Sequence, residues 1–355
     1  MKTKRIKSYI KAIREIATRE EFQQKYRQGE HSFERTRKLR FEDVVFCTIG
    51  NTKTSFEETA EQFSKYTATG TISSAALCKA RQKIFGEAFR EIQEGCVSLD
   101  NRSKTYRGYH LVAVDGMVGE LPNSAKLTEK YGESSCRKQL QFLAVSAYDI
   151  LNEVFLMSEF HFGIGDERAM AVALIERSRE RYADEKQIWI FDRGYPSVKV
   201  LKTLVDNGLK FVIRVADSFL KEVNDFAKSK KTDETLSIHL DKKRIATSRI
   251  RLDSEFSFDV RCVRVALESG DEILITNLPK NEFPRRYIKQ LYEYRWEIEV
   301  GFNYLKNSVY VEEFSSRTEN GILQDFYSTL IMQNMVTYVC NSFSPSESEE
   351  EKVST

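Results

Sequence analysis

Apolar and polar positions change their period partway along this chain. Up to about residue 100 the apolar positions recur every three or four residues, which is helical spacing. Segments 41–50 and 54–65 read as short amphipathic helices, and a third opens at Ser73-Ser74-Ala75-Ala76-Leu77, where Ser73 or Ser74 is placed to cap it. This third helix turns Lys79, Arg81 and Lys83 to one side and Leu77, Ala80 and Ile84 to the other. Two roles suit it: a plain element of a small bundle, or the recognition helix of a helix-turn-helix-like unit.

From Tyr109 onward strands take over. Runs at 110–114, 140–147 and 153–162 are followed by a helix at 167–182 that Asp166 caps. A short apolar strand at 187–191, a helix at 196–207 and a strand at 211–215 complete the series. That order predicts a mixed sheet with helices laid against it, as in a ribonuclease H-like fold. Residues 216–280 break the rhythm with Lys, Asp, Ser and Thr, then alternate at 249–252, 258–262 and 273–276, which predicts a β-rich insertion. Pro284 stands near the start of a long helix running to about Asn307, where a proline costs little, and an apolar helix at about 325–341 is expected to pack on the body. The expected class is α/β: a ribonuclease H-like mixed-sheet core with a β-rich insertion before its late helix, preceded by an all-α N-terminal domain. The boundaries are 1–100 for the helical domain, 105–215 and 281–342 for the two parts of the core, 216–280 for the insertion, and 343–355 for a disordered acidic tail.

Composition narrows the chemistry. At 355 residues the chain exceeds one ordinary core. Its 41% hydrophobic and 30% charged shares are those of a soluble globular protein. No apolar run approaches the roughly 18 residues of a membrane helix, and the first thirty residues lack an apolar signal region, so a cytoplasmic protein without a membrane partner is expected. Cys47, Cys78, Cys96, Cys136, Cys262 and Cys340 lie far apart, which argues against a zinc ribbon and a disulfide framework. With only four scattered histidines, a divalent metal would be held by oxygen, favouring magnesium or manganese. The net charge of +2 hides an asymmetry: residues 1–40 hold thirteen Lys/Arg against five Glu, while 341–355 hold four Glu against one Lys. A basic arm suits nucleic acid, and an acidic, Ser-rich tail suits disorder.

Two acids stand at predicted strand ends: Asp115 in LVAVDGMVGELPNS and Asp192 in IWIFDRGYPS. If the first and fourth strands are neighbours, the two carboxylates converge at one sheet edge. A third acid, Glu299, belongs to a polar stripe of Tyr292, Arg295, Glu299 and Lys306, at offsets of three, four and seven. At roughly 100° per residue these four fall within an arc of about 60° on one helix face. Three acids from different elements can bind two divalent ions that clamp the attacking and leaving oxygens of phosphoryl transfer. Each also has a plainer reading. Asp115-Gly116 suits a hairpin turn, Asp192 a cap or turn, and Arg295–Glu299 a solvated ion pair. Arg193, beside the second acid, is a further phosphate candidate, and Trp296 either stacks on an extruded base or packs into the core.

Together these residues resemble a bacterial insertion-sequence transposase of the insertion sequence 4 family. Tyr292, Arg295, Glu299 and Lys306 meet that family's Y-(2)-R-(3)-E-(6)-K signature, and Asp115, Asp192 and Glu299 its acidic triad. DRGYPS and VDG…LPNS are similar to the segments around its first two acids, and the resemblance spans about residues 70–340. It implies cut-and-paste DNA transposition, with a possible hairpin intermediate, run on Mg2+ that Mn2+ can replace. It also implies contacts to terminal inverted repeats and target DNA, Tyr292, Arg295 and Lys306 on phosphates, and a homodimer in the DNA complex. Met117 departs from the family, which often has a small hydroxyl residue there. Two other activities use the same residues: a nuclease without strand transfer, and a catalytically silent DNA-binding descendant.

Overall fold

A computed structural model describes residues 2–34, 38–51, 53–66, 70–97, 102–132, 139–247, 254–267 and 270–341. The tail at 343–355, the alternation at 249–252 and Cys136 lie outside them. Its strands are β1 (His110–Glu120), β2 (Gln141–Asp149), β3 (Val154–Phe162), β4 (Gln187–Phe191), β5 (Lys210–Val215), β6 (Asp233–Leu240), β7 (Phe256–Leu267) and β8 (Gly270–Thr276). All eight form one mixed sheet in the order β3-β2-β1-β4-β5-β8-β7-β6.

β1, β2 and β3 form an antiparallel meander, and β4 and β5 join it parallel to β1. The expected adjacency of the first and fourth strands is therefore present. Every residue of β4 is buried, as its unbroken apolar run requires of a central parallel strand. The strands of the expected β-rich segment extend the same sheet, because β8 pairs antiparallel with β5 and carries β7 and β6 outward.

The helices before the sheet are α1 (Lys2–Ala17), α2 (Glu20–Tyr26), α3 (Phe41–Ile49), α4 (Phe56–Tyr66), α5 (Ser74–Arg81) and α6 (Glu87–Gly95). Those among and after the strands are α7 (Ala125–Tyr131), α8 (Glu167–Arg181), α9 (Val198–Asp206), α10 (Lys221–Lys228), α11 (Lys242–Thr247), α12 (Arg285–Glu293), α13 (Trp296–Asn307) and α14 (Glu319–Asn341). Their ends follow from side-chain chemistry. Ser73 accepts from the Ala76 N–H, Ser197 from Val200, and Asp166 from Arg168 and Ala169, so each satisfies an otherwise orphaned helical donor. Among the described residues, no helix is long and apolar enough to cross a membrane.

The chain divides into two compact units: residues 1–103, 121–130 and 305–355 form one, and 104–120 and 131–304 the other. In the helical unit α14 packs against α1, α3 and α6, so the late apolar helix joins the N-terminal helices rather than the sheet. Arg81 lies inside this unit at 5% exposure and donates to Asp325 Oδ1, Gln324 Oε1, Ser315 Oγ and the Gly321 carbonyl. It is therefore not one of a row of outward cations, as the helical wheel of α5 suggested. A carboxylate 244 positions away claims it instead.

In the sheet unit α13 lies close against β2 and β3. A Cβ at Gly301 would stand 3.2 Å from the Tyr148 ring and 3.4 Å from Phe155, a tight fit that glycine relieves. The single long helix expected from Pro284 to Asn307 is two, parted at Tyr294 and Arg295. There the N–H groups of Arg295, Glu297 and Ile298 each bond three residues back, tightening the chain between α12 and α13.

Candidate active site

β1 does not end at Asp115. It runs on through Glu120, with Asp115 paired to Ser146 and Gly116 to Val145 of β2, so Asp115-Gly116 is mid-strand and no hairpin turn. β4, by contrast, stops at Phe191 opposite Val114. Asp192 thus leaves the sheet beside the point where Asp115 continues along it, and the two acids become neighbours across parallel strands.

The segment around α12 and α13 closes over them. Tyr292, in the last turn of α12, donates its hydroxyl to Asp192 Oδ1 at 2.6 Å. Arg295, in the break, donates from Nη1 to Asp115 Oδ2 at 3.0 Å and from Nη2 to Glu299 Oε1 at 2.7 Å. The solvated Arg295–Glu299 pair is thereby excluded, since this guanidinium is 9% exposed and spans two of the three acids. The Gly116 N–H donates to Asp115 Oδ1 at 2.8 Å, and Arg214 Nη1 lies 3.8 Å from Asp192 Oδ1 while pairing with Glu272.

These surroundings split the two aspartates. Burial holds the Asp115 carboxyl above the usual range, with Glu299 and Asp192 adding to the effect and the Gly116 N–H and Arg295 opposing it. Burial also pushes Asp192 up, but the Tyr292 hydroxyl, the Arg193 backbone N–H, Arg295 and Arg214 together bring it below that range. Tyr292 is pushed up to about 12 by burial and by its bond to Asp192, so it stays a neutral donor. Burial works against the charge on Arg295, yet Glu299, Asp192, Tyr292 and Asp115 raise it above its ordinary value.

Residues 106–335 match the family described as transposase DDE domain. The chain belongs to this family. It is a transposase by descent, and DNA transposition and recombination are the family's work. No curated protein matches it. Two solved structures are similar to it only at a distance. One is a piggyBac transposase synaptic complex with hairpin DNA, at 10% identity and a TM-score of 0.43, covering 97% of this chain and 84% of that one. The other is the NurA nuclease from Sulfolobus solfataricus, at 11% identity and a TM-score of 0.27, covering 52% and 73%. Neither is close enough to place a residue.

In this transposase domain Asp115, Asp192, Glu299, Tyr292 and Arg295 come together. Arg193 is exposed beside Asp192, its backbone already serving that acid. Trp296 is 60% exposed, which overturns the core-packing alternative. Lys306 sits in the last turn of α13, 3.8 Å from Glu312. Arg214 was not legible beforehand, because a lone cation in an apolar strand carries no spacing signal. The donor set of three carboxylates suits a hard divalent cation. Among the described residues no three His, Cys, Asp or Glu side chains already stand gathered around a metal position. The Arg295 guanidinium supplies positive charge to Asp115 and Glu299.

Proposed function

We propose that this chain is an active transposase of the insertion sequence 4 type, excising and joining DNA by cut-and-paste phosphoryl transfer. What carries the reading is the meeting of Asp115 and Asp192 across β1 and β4, with Glu299 linked to Asp115 through one guanidinium. Asp115, Asp192 and Glu299 would hold Mg2+, or Mn2+ in its place. Bound there, the cation supplies a polarised water or sugar hydroxyl for attack and stabilises the departing oxygen.

The remaining residues act around these acids. Tyr292 holds Asp192 in one orientation and keeps it ionised. Arg295 compensates charge between Asp115 and Glu299, and a phosphate drawn to the acids would meet it as a charge partner. Arg193 and Lys306 contribute phosphate contacts that position the duplex without reading its sequence. Trp296 offers its exposed ring to a base leaving the stack, with Val300 and Tyr304 following at four-residue intervals, also exposed. The substrates are the terminal inverted repeats and a target duplex, held by two copies of the chain. A hairpin at the cleaved end fits the same one-site chemistry.

The test is cleavage of a duplex bearing the inverted repeats that flank the coding region, with purified protein and Mg2+. Release of a 3′-hydroxyl end followed by joining to a second duplex is expected. Nicking without joining would make the chain a nuclease, and binding without nicking a silent DNA-binding descendant.

A further inference from the structure

Gly116 lies outside the left-handed backbone region, so its conformation alone does not call for glycine. A close approach favours it. A Cβ at this position would stand 3.2 Å from both Cδ and Oε1 of Glu167 and 3.3 Å from the Tyr195 hydroxyl oxygen. A fourth carboxylate therefore rests on the backbone of the residue next to Asp115.

Two elements bring it there. Glu167 opens α8, where Asp166 already takes the capping bonds, so its carboxylate is not spent on the helix end. Arg168 donates Nε to the Gly194 carbonyl at 2.9 Å, tying the start of α8 to the loop that leaves Asp192. Among the described residues no Lys or Arg pairs with Glu167. Facing it is Tyr195, 2% exposed, whose hydroxyl meets no partner in ordinary hydrogen-bond geometry. Burial, then the negative charge of Glu167, Asp115 and Asp192, keeps that phenol neutral. A carboxylate without a paired cation adds negative charge beside an already acidic edge, and like charges repel. The cost is offset when a cation binds.

We propose that Glu167 is a fourth acid of the site and that it strengthens the hold of Asp115, Asp192 and Glu299 on a divalent cation. This rests on reading those three acids as a metal site. The experiment is Mn2+ titration of the purified, DNA-free chain, following the loss of the free-ion paramagnetic resonance signal, with thermal melts as a check on folding.

Glu167→Gln is expected to weaken Mn2+ uptake about tenfold, the scale on which groups supporting metal ligands act. Tyr195→Phe should weaken it less. Gly116→Ala, which displaces the Glu167 carboxylate without altering any charge, should move affinity the same way as Glu167→Gln. Asp115→Asn and Asp192→Asn report on the underlying site. If these two abolish uptake while Glu167→Gln and Gly116→Ala leave it unchanged, Glu167 has no part and the three-acid reading survives. No Mn2+ uptake by the unsubstituted chain would overturn both.

Discussion

The Tyr292 hydroxyl donates to Asp192 at 2.6 Å, across 100 residues of sequence and from a helix end to a strand end. That bond is the first of the forces that offset burial and keep Asp192 below the usual carboxylate range. A carboxyl with a depressed pKa contributes stability that is present above its unfolded pKa and lost as pH falls through the folded value. Tyr292→Phe should therefore cost about 1 kcal/mol near neutral pH, the net worth of such a bond at a part-exposed acid. The gap should narrow as the pH falls toward the depressed folded value of Asp192. Urea unfolding of both proteins at about pH 7 and about pH 3 measures it. An equal gap at both would detach Tyr292 from the titration of Asp192.

Glu299→Gln keeps the size and part of the hydrogen bonding of the side chain but removes its charge. Strand cleavage should fall below detection while binding of element ends, read by gel shift, stays within about threefold, since phosphate contacts dominate affinity. Cleavage at the unsubstituted level would end the assignment of Glu299 to the acidic triad.

Arg81 makes a sharp contrast with its neighbour Lys79. Removing one partner of a buried ion pair strands the other, at a cost of about 3–5 kcal/mol. Arg81→Ala should lose that much in urea unfolding through the abandoned Asp325, whereas Lys79→Ala should change stability by less than about 0.5 kcal/mol. Equal, small effects would return Arg81 to the surface role that its helical wheel suggests.

Two tryptophans allow a direct optical test of base contact. Trp189 is fully buried in β4, and Trp296 is largely exposed on α13. A single-stranded thymidine oligomer should quench Trp296 emission, and Trp296→Phe should abolish the quench while leaving the Trp189 emission. Quenching that persists in Trp296→Phe, or none in the unsubstituted protein, would remove Trp296 from the DNA surface.

Local chemistry was enough to read much of this molecule. The caps at Ser73 and Asp166 and the buried run of β4 show in the chain, because caps and periodicity act within a few residues. The same locality explains what was misread. Asp115-Gly116 has the composition of a turn, but pairing with β2 carries it straight through, and the glycine answers to Glu167 and Tyr195 instead. Arg81 sits on the charged side of its helix, yet Asp325 draws it inward. What the sequence by itself determined was which residues carry charge and which segments form helix or strand. Only the tertiary structure decided which charges neutralise which, because a guanidinium between Asp115 and Glu299 depends on distances across 180 residues, which no local spacing records.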